Sequence, residues 1–106
     1  MIPAILYVRV KSNLDSEELE CRVLDRRSRF LEVDGLIQKI YGRDNETGEM
    51  CGIYFFESRD ALSAFLETEL AKTISSAYEA VEVRPEVYDV LYPLYPERGP
   101  IGAKRD

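Results

Sequence analysis

The chain has 106 residues, of which 45% are hydrophobic and 32% are charged, which is the length and composition of one globular domain. Its 14 Lys and Arg against 20 Asp and Glu leave a formal net charge of −6. Surfaces that bind nucleic acids or anionic membranes carry a basic excess, and this chain lacks one. The composition therefore argues against nucleic-acid and membrane partners.

The N-terminus and the cysteines both bear on cellular location. Residues 1–6 lack the positive charge of a signal peptide, and the apolar runs are much shorter than the roughly 20 residues that span a bilayer. Cys21 and Cys51 form no CxxC pair, so we expect them to be reduced and partly buried. The sequence predicts a cytoplasmic protein.

The chain contains no histidine. This removes the commonest general base, the commonest metal and haem ligand, and every Ser-His or Cys-His nucleophile arrangement. There is also no Gly-rich phosphate loop. We therefore expect neither a metal nor a cofactor.

The first half of the chain predicts two strands around a helix. Residues 3–11 are rich in β-branched and aromatic side chains, which is typical of a strand. Asp15 or Ser16 is expected to cap a helix that runs to about Val33. Residues 35–44 then form the second strand.

A strand and a helix follow a hairpin loop at Asn45–Gly48. Residues 49–57 predict the third strand. Ser58 caps a second helix that runs from Arg59 to about Leu70, and its continuation past Ile74 is left open.

The last strand is expected at residues 80–91, and Pro85 lies inside it. Because proline cannot donate to a strand ladder, this strand lies at an edge or carries a bulge. Residues 1–95 then make up the single domain. Residues 96–106 contain four Pro or Gly residues by position 102 and predict an extended or disordered tail.

The order β-α-β-β-α-β is typical of the α+β ferredoxin-like fold, a four-stranded antiparallel sheet with both helices on one face. Alternate residues of the first and third strands make both faces of this sheet apolar. The face expected to lack helices carries Ile5, Tyr7, Ile53 and Phe55. Because an apolar face this large must be buried, we expect a homodimer related by a twofold axis, a dimeric α+β barrel.

Two charged residues interrupt the apolar stripes of the helices. Arg26 falls between Val23 and Phe30 in the first helix, and Glu69 falls among the apolar residues of the second. Three interpretations are open. The two side chains form a buried ion pair, or they extend to solvent, or they form a catalytic site in which Arg26 holds an anionic or phenolate oxygen and Glu69 moves a proton.

Four aromatic residues are expected in the layer between helices and sheet: Phe30, Tyr54, Phe56 and Phe65. They suit an ordinary core, and they also suit the wall of a substrate-binding pocket for a planar ligand. Tyr41, Tyr54 and Tyr88 could each offer a hydroxyl group to such a ligand.

The region from Gly35 to Tyr95 resembles the YdhR-type family of monooxygenases, which belongs to the dimeric α+β barrel superfamily with the antibiotic-biosynthesis monooxygenases. The residues that carry the resemblance are Gly35–Ile40, Gly52–Phe56, Ala61-Leu62, Phe65–Glu67, Val87–Val90 and Pro93-Leu94. Better-understood relatives have a Trp at the end of the third strand and a His on the second helix. This chain has Phe56 and Phe65 at the matching positions.

The resemblance implies a homodimer with one apolar pocket in each subunit, between the helices and the sheet. It also implies oxidation of a phenolic or quinol-like compound by oxygen without a metal or flavin. The leading hypothesis is thus a cofactor-independent monooxygenase-like protein acting on a small aromatic compound. The alternatives are a non-catalytic protein that binds a small molecule and a purely structural dimer.

Overall fold

A computed structural model describes residues 2–101 of the chain. Its four strands form one antiparallel sheet in the order β2-β3-β1-β4. This is the α+β ferredoxin-like fold that the sequence predicts. In chain order the elements are β1 (Ala4–Ser12), α1 (Ser16–Phe30), β2 (Leu36–Arg43), β3 (Met50–Phe56), α2 (Arg59–Leu66), α3 (Glu69–Lys72), α4 (Ile74–Ala77) and β4 (Ala80–Asp89).

The core lies between one face of the sheet and the helices. Burial alternates along the two central strands, so every second residue of β1 and β3 is buried on this face, as the pleat requires. On β1 and β3 these residues are Ala4, Leu6, Val8, Val10, Met50, Gly52, Tyr54 and Phe56. The helices cover them with Leu19, Val23 and Phe30 of α1 and with Leu62 and Phe65 of α2.

Helix α1 begins where the sequence predicts and ends earlier. The side chain of Asp15 accepts a hydrogen bond from the backbone N–H of Glu18 at 2.9 Å, which makes Asp15 the N-cap. The helix ends at Phe30 rather than Val33 because the next N–H groups bond three residues back, Val33 N–H to Phe30 O among them. Such tight turns are common where a helix terminates.

The predicted long second helix is divided into three short ones, and two threonines account for the breaks. The hydroxyl of Thr68 donates to Phe65 O at 2.6 Å and accepts from Ala71 N–H at 3.2 Å, so it ends α2 and caps α3. The hydroxyl of Thr73 donates to Glu69 O at 2.7 Å between α3 and α4. These side chains compete with the backbone ladder that a continuous helix would need.

Strand β4 lies at the edge of the sheet and pairs with β1 alone. Pro85 therefore occupies an edge strand, where it stands opposite Val8. The pairing between β1 and β4 also shifts its register between Lys11 and Ser12, near the start of β4.

The second face of the sheet, which we call the open face, carries no buried layer of its own. Ile5, Tyr7, Ile53 and Phe55 alternate with the core residues and are only half-buried. Ile40 extends this face on β2, where it is 46% exposed opposite Ile53. These residues are apolar on both central strands, as the sequence indicates, whereas Arg9 of β1 lies on the same face and pairs with Asp44 and Glu49.

The segment after β4 has no helix or strand up to residue 101. Ile101 is nevertheless buried, and it lines a surface groove together with Ile5 and Phe55 at one end of the open face. The predicted tail begins at residue 96, and its residues 102–106 lie outside the described part of the chain. The division into a domain at 1–95 and a tail at 96–106 stays a prediction.

Neither cysteine is paired with another. Cys51 is half-buried as expected, whereas Cys21 is exposed because it points outward from α1. Within residues 2–101, no helix has the length and apolar character needed to cross a membrane.

Replacement of Gly35 by Ala should destabilise the fold more than the same change at Gly48. Both glycines have positive φ, 79° and 78°, so Ala should cost about 1–2 kcal/mol of conformational strain at either site. At Gly35 the new Cβ would also stand 2.5 Å from the Cβ of Ala61, whereas nothing lies within 4 Å at Gly48. We expect an extra loss of about 1–3 kcal/mol for Gly35→Ala, measured by urea denaturation. Equal losses would show that the contact with Ala61 relaxes freely.

Candidate functional site

A small cavity lies between α1 and the β2–β3 side of the sheet, and we call it the chamber. It has a volume of about 30 Å³ and mostly apolar walls, formed by Val8, Val10, Leu19, Val23, Met50 and Ile74 among others. The side chains of Lys39, Tyr41, Tyr54 and Tyr78 also line it. This volume has room for water but is too small for an aromatic ring in this conformation.

Lys39 stands among three aromatic rings at the wall of the chamber. Its Nζ lies 3.4 Å from the ring centroid of Phe30, 4.4 Å from that of Tyr41 and 4.5 Å from that of Tyr54. Strand β2 directs it there because Lys39 is paired with Tyr54 across the sheet, on the same face as the core. An ammonium group is attracted to the faces of such rings, while the rings also exclude water from it.

The surroundings of Lys39 favour its neutral form. Burial, and to a lesser extent the positive charge of Arg26, lowers the pKa of Lys39 from 10.5 to about 7. The phenols around the chamber are shifted the other way, since burial raises the pKa of Tyr41, Tyr54 and Tyr78. Near neutral pH the chamber thus has neutral phenols and an amine that can gain or lose a proton.

Arg26 is buried, as its position in the apolar stripe of α1 predicts. One Nη donates to Leu70 O at 2.8 Å, and both Nη atoms lie 3.3 Å from the hydroxyl of Thr73. Its guanidinium carbon is 5.4 Å from the ring centroid of Tyr78. The Nε atom is buried without a hydrogen-bond partner, so one donor of this group remains unused.

The expected ion pair between Arg26 and Glu69 is not formed. Glu69 is exposed at the start of α3, and the guanidinium is bound instead by a carbonyl and a hydroxyl group. The helical phase that placed Glu69 inward assumed one continuous helix. The break at Thr68 resets that phase, which is why the prediction of the ion pair is wrong.

The four aromatic residues predicted from the sequence do come together. Ring centroids of neighbouring pairs are 5.4 Å to 6.2 Å apart, the range of ordinary aromatic packing. Tyr54 lines the chamber, and Phe30 lies under the amine of Lys39. Phe56 and Phe65 are fully or almost fully buried behind them. Only two of the four therefore reach the chamber or its amine.

Two surface grooves adjoin the chamber on either side of Tyr41. One has a volume of about 260 Å³ and shares Lys39 and Tyr41 with the chamber, and Phe30 also lines it. The other has a volume of about 360 Å³ and shares Val23, Tyr41 and Met50. Since pockets for small molecules usually measure roughly 300–1,000 Å³, a ligand would need the chamber to open into a groove by movement of Tyr41.

The charge at this site is not balanced by an acid. No ion pair among residues 2–101 includes Arg26 or Lys39. The same part of the chain contains no cluster of three His, Cys, Asp or Glu residues that could hold a metal ion. Chemically, the site can accept a proton at Lys39 and can stabilise a negative charge.

The sequence reasoning missed Lys39 and Tyr78 as site residues. The two-residue repeat of β2 could have identified Lys39, because it puts Lys39 on the same face as Tyr41 and puts Ile40 on the opposite face. Tyr78 gave no such signal, because it lies in a turn whose direction depends on the break at Thr73. Tyr88, considered as a hydroxyl donor, is exposed and pairs with Ile5 on the open face, away from the chamber.

Replacement of Lys39 by Met should stabilise the protein most at low pH. In the unfolded chain Lys39 is protonated up to pH 10.5, whereas in the folded chain it is protonated only up to about pH 7. Between these values the unfolded state binds more protons, so wild-type stability rises with pH by up to about 1.4 kcal/mol per unit. Lys39→Met removes this dependence, and its advantage should fade as the pH rises towards 10.5.

The measurement is the difference in free energy of unfolding between variant and wild type at about pH 6 and about pH 9. Lys72→Met is the matched control, because Lys72 is exposed. An advantage of Lys39→Met that does not change with pH would mean that Lys39 keeps an ordinary pKa.

Solved structures with the same fold include one cofactor-independent oxygenase and proteins whose activity is given only as putative. SnoaB, a cofactor-independent oxygenase from Streptomyces nogalater, is 12% identical with a TM-score of 0.73, over 89% of this chain and 98% of that chain. A protein from Deinococcus radiodurans described as a "putative antibiotic biosynthesis monooxygenase" is 9% identical with a TM-score of 0.70, over 88% and 96%. At such identities the likeness shows the fold alone.

A third similar structure is a dimeric ferredoxin-like protein of unknown function from Thermobifida fusca. It is 7% identical with a TM-score of 0.68, over 84% of this chain and 92% of that chain. No protein of curated function matches the sequence.

The family evidence covers most of the chain. The family model described as "Putative mono-oxygenase ydhR" matches residues 5–95, so it includes β1 and α1 in addition to the region from Gly35 to Tyr95. The chain therefore belongs to the ydhR family.

Proposed function

We propose that the protein is a cofactor-independent monooxygenase that oxidises a small phenol or quinol at the chamber. The observation that supports this most directly is a largely apolar cavity in which the amine of Lys39 lies against three aromatic rings. The buried guanidinium of Arg26 lies nearby, beside Tyr78. The family and the fold shared with SnoaB, itself a cofactor-independent oxygenase, agree with it.

Oxidation without a cofactor requires the substrate to supply the electrons. A phenolate or quinol anion can pass an electron to oxygen, whereas the neutral phenol is a much weaker donor. The protein then needs to exclude water and to stabilise the anion. In this proposal Phe30 and Tyr54 contact the substrate ring, Phe56 and Phe65 support them from behind, and Arg26 provides positive charge.

Glu69 has no part in the proposed site, because it is exposed on α3. Arg26 instead acts through the groups that hold it. Its contacts with Leu70 O and Thr73 fix the guanidinium beside Tyr78. Because Tyr78 lines the chamber, the positive charge of Arg26 would act on the substrate from behind this tyrosine.

We further propose that the open face is the interface of a homodimer. Ile5, Tyr7, Ile53 and Phe55 leave it apolar and incompletely buried in one chain, and a second copy is the simplest partner that could cover it. The dimeric protein from Thermobifida fusca has the same fold. The cytoplasm, where Cys21 and Cys51 would stay reduced, remains our predicted location.

One observation favours a second candidate function. Because the chamber holds only about 30 Å³, the protein could also be a non-catalytic binding or structural dimer whose cavity opens rarely or never. A rise in melting temperature with small phenols would argue against a purely structural role.

Oxygen consumption with a panel of quinols tests the proposed activity. We expect uptake that continues in the presence of a metal chelator and that falls at least tenfold in Arg26→Met. Arg29→Met is the matched control, since Arg29 is exposed on the same helix. The variant Arg26→Met should remain folded, because loss of its hydrogen bonds costs only about 1–3 kcal/mol, and circular dichroism checks this. No uptake with any quinol would overturn the proposal.

The proposed interface is tested by sedimentation. The wild type should be a dimer at micromolar concentration, and Ile53→Glu should dissociate or unfold it because a charge would be buried at the interface. Leu24→Glu, which changes an exposed residue of α1, should leave the dimer intact. A monomeric wild type would contradict the proposal.

A further inference from the structure

We propose that the Lys39 amine accepts the proton of the substrate's phenolic hydroxyl group, and that the protonated amine then holds the phenolate, with the positive charge of Arg26 nearby. This inference rests on the proposed function and gives its site a proton acceptor and a substrate class, an ionisable phenol. It replaces Glu69, which the sequence analysis considered for the proton step.

The position of Lys39 suits this role. It lines both the chamber and the groove of about 260 Å³, so it stands where the two spaces meet. A planar ring that enters from the groove would pass Phe30, whose ring lies 3.4 Å from the Lys39 Nζ. The hydroxyl group of such a ring would meet the amine before any other ionisable group of the chamber except Tyr41.

The charges around Lys39 also suit it. Arg26 and Arg27 come from α1, Tyr41 from β2, Tyr54 from β3 and Tyr78 from the turn before β4, and no ion pair of residues 2–101 brings a carboxylate to Lys39 or Arg26. A second positive charge beside Arg26 is therefore costly until a negative charge arrives. The phenolate supplies that negative charge.

The proton step balances within the site. The phenolic O–H bond breaks, a new N–H bond forms on Lys39, and no electron changes hands. The uncharged phenol and the uncharged amine become an ion pair, and the positive charge of Arg26, which lies beside Tyr78, stabilises the phenolate further. The pKa of Lys39, lowered to about 7, leaves the amine able to accept this proton near neutral pH.

A chromophoric phenol tests the inference without any turnover. The probe is 3-nitrophenol, whose phenolate absorbs visible light, at a pH between the pKa of Lys39 and that of the probe. We expect the phenolate band to appear when the probe binds wild-type protein. Calorimetry in two buffers of different ionisation enthalpy should detect no net proton release, because the proton stays on Lys39.

The variants separate the proton acceptor from a simple positive charge. Lys39→Met should bind the probe without the phenolate band. Lys39→Arg keeps the charge but cannot accept a proton, so any phenolate should appear with about one proton released per bound probe. Lys72→Met, an exposed lysine on α3, should behave as wild type.

Three results would overturn the inference: no binding of the probe to wild type, binding without the band, or a band that persists in Lys39→Met. The probe experiment does not depend on oxygenase activity, so failure of this inference and failure of the proposed function can be told apart. A phenolate band in wild type with no oxygen uptake from any quinol would remove the activity and keep the role of Lys39, whereas full oxygen uptake in Lys39→Met would remove that role alone.

Discussion

The hydrogen bonds of one buried arginine join the parts of this molecule that form its chamber. Arg26 comes from α1, and it binds Leu70 O and the hydroxyl of Thr73 from the helical segment that follows α2. Those bonds hold the segment against α1 and place Tyr78 under the guanidinium. They act together with the hydrogen bonds that Arg22 donates to Ala77 O and that Ser12 donates to Tyr78 O, which fix the end of the same segment.

Burial of Lys39 and the positive charge of Arg26 both favour the neutral form of Lys39, and burial is the larger cause. Since no carboxylate accompanies Arg26 among the ion pairs of residues 2–101, a protonated Lys39 beside it would place two unpaired charges in an apolar layer. Deprotonation of Lys39 is the less costly arrangement, and burial drives it in the same direction. The rings of Phe30, Tyr41 and Tyr54 around Lys39 can accommodate either the neutral amine or the ammonium ion. A group that accepts and releases a proton needs both forms to be accessible.

The sequence predicted the parts of this structure that follow from a regular repeat. Alternation along β1 and β3 identified both the core and the open face, and the phase of α1 correctly buried Arg26 because that helix is continuous. The errors arose where a side chain interrupts the repeat. Thr68 ends α2 and turns Glu69 outward, and neither effect can be read from spacing, since threonine also occurs inside helices.

Lys39 was missed for a different reason. A lysine on an edge strand is usually taken as a solvent-facing residue that discourages aggregation. Here the alternation along β2 turns Lys39 towards the core, on the same face as Tyr41, and Lys39 is paired with Tyr54. The family motif contained Lys39 only as one residue of Gly35–Ile40. A resemblance based on fold-determining positions gave the architecture but could not show which of them carries chemistry.

The size of the chamber links its dynamics to its chemistry. Lys39 lines both the chamber and the groove of about 260 Å³, and partial burial is the main cause of its lowered pKa. Movement of Tyr41, which lines the chamber and both grooves, would admit a ring but also water. Water alone would raise the pKa of Lys39 towards its ordinary value, whereas an aromatic ligand would bury the amine further. In the proposed reaction, a ligand that fills the opened space therefore keeps the amine neutral until it delivers its own proton.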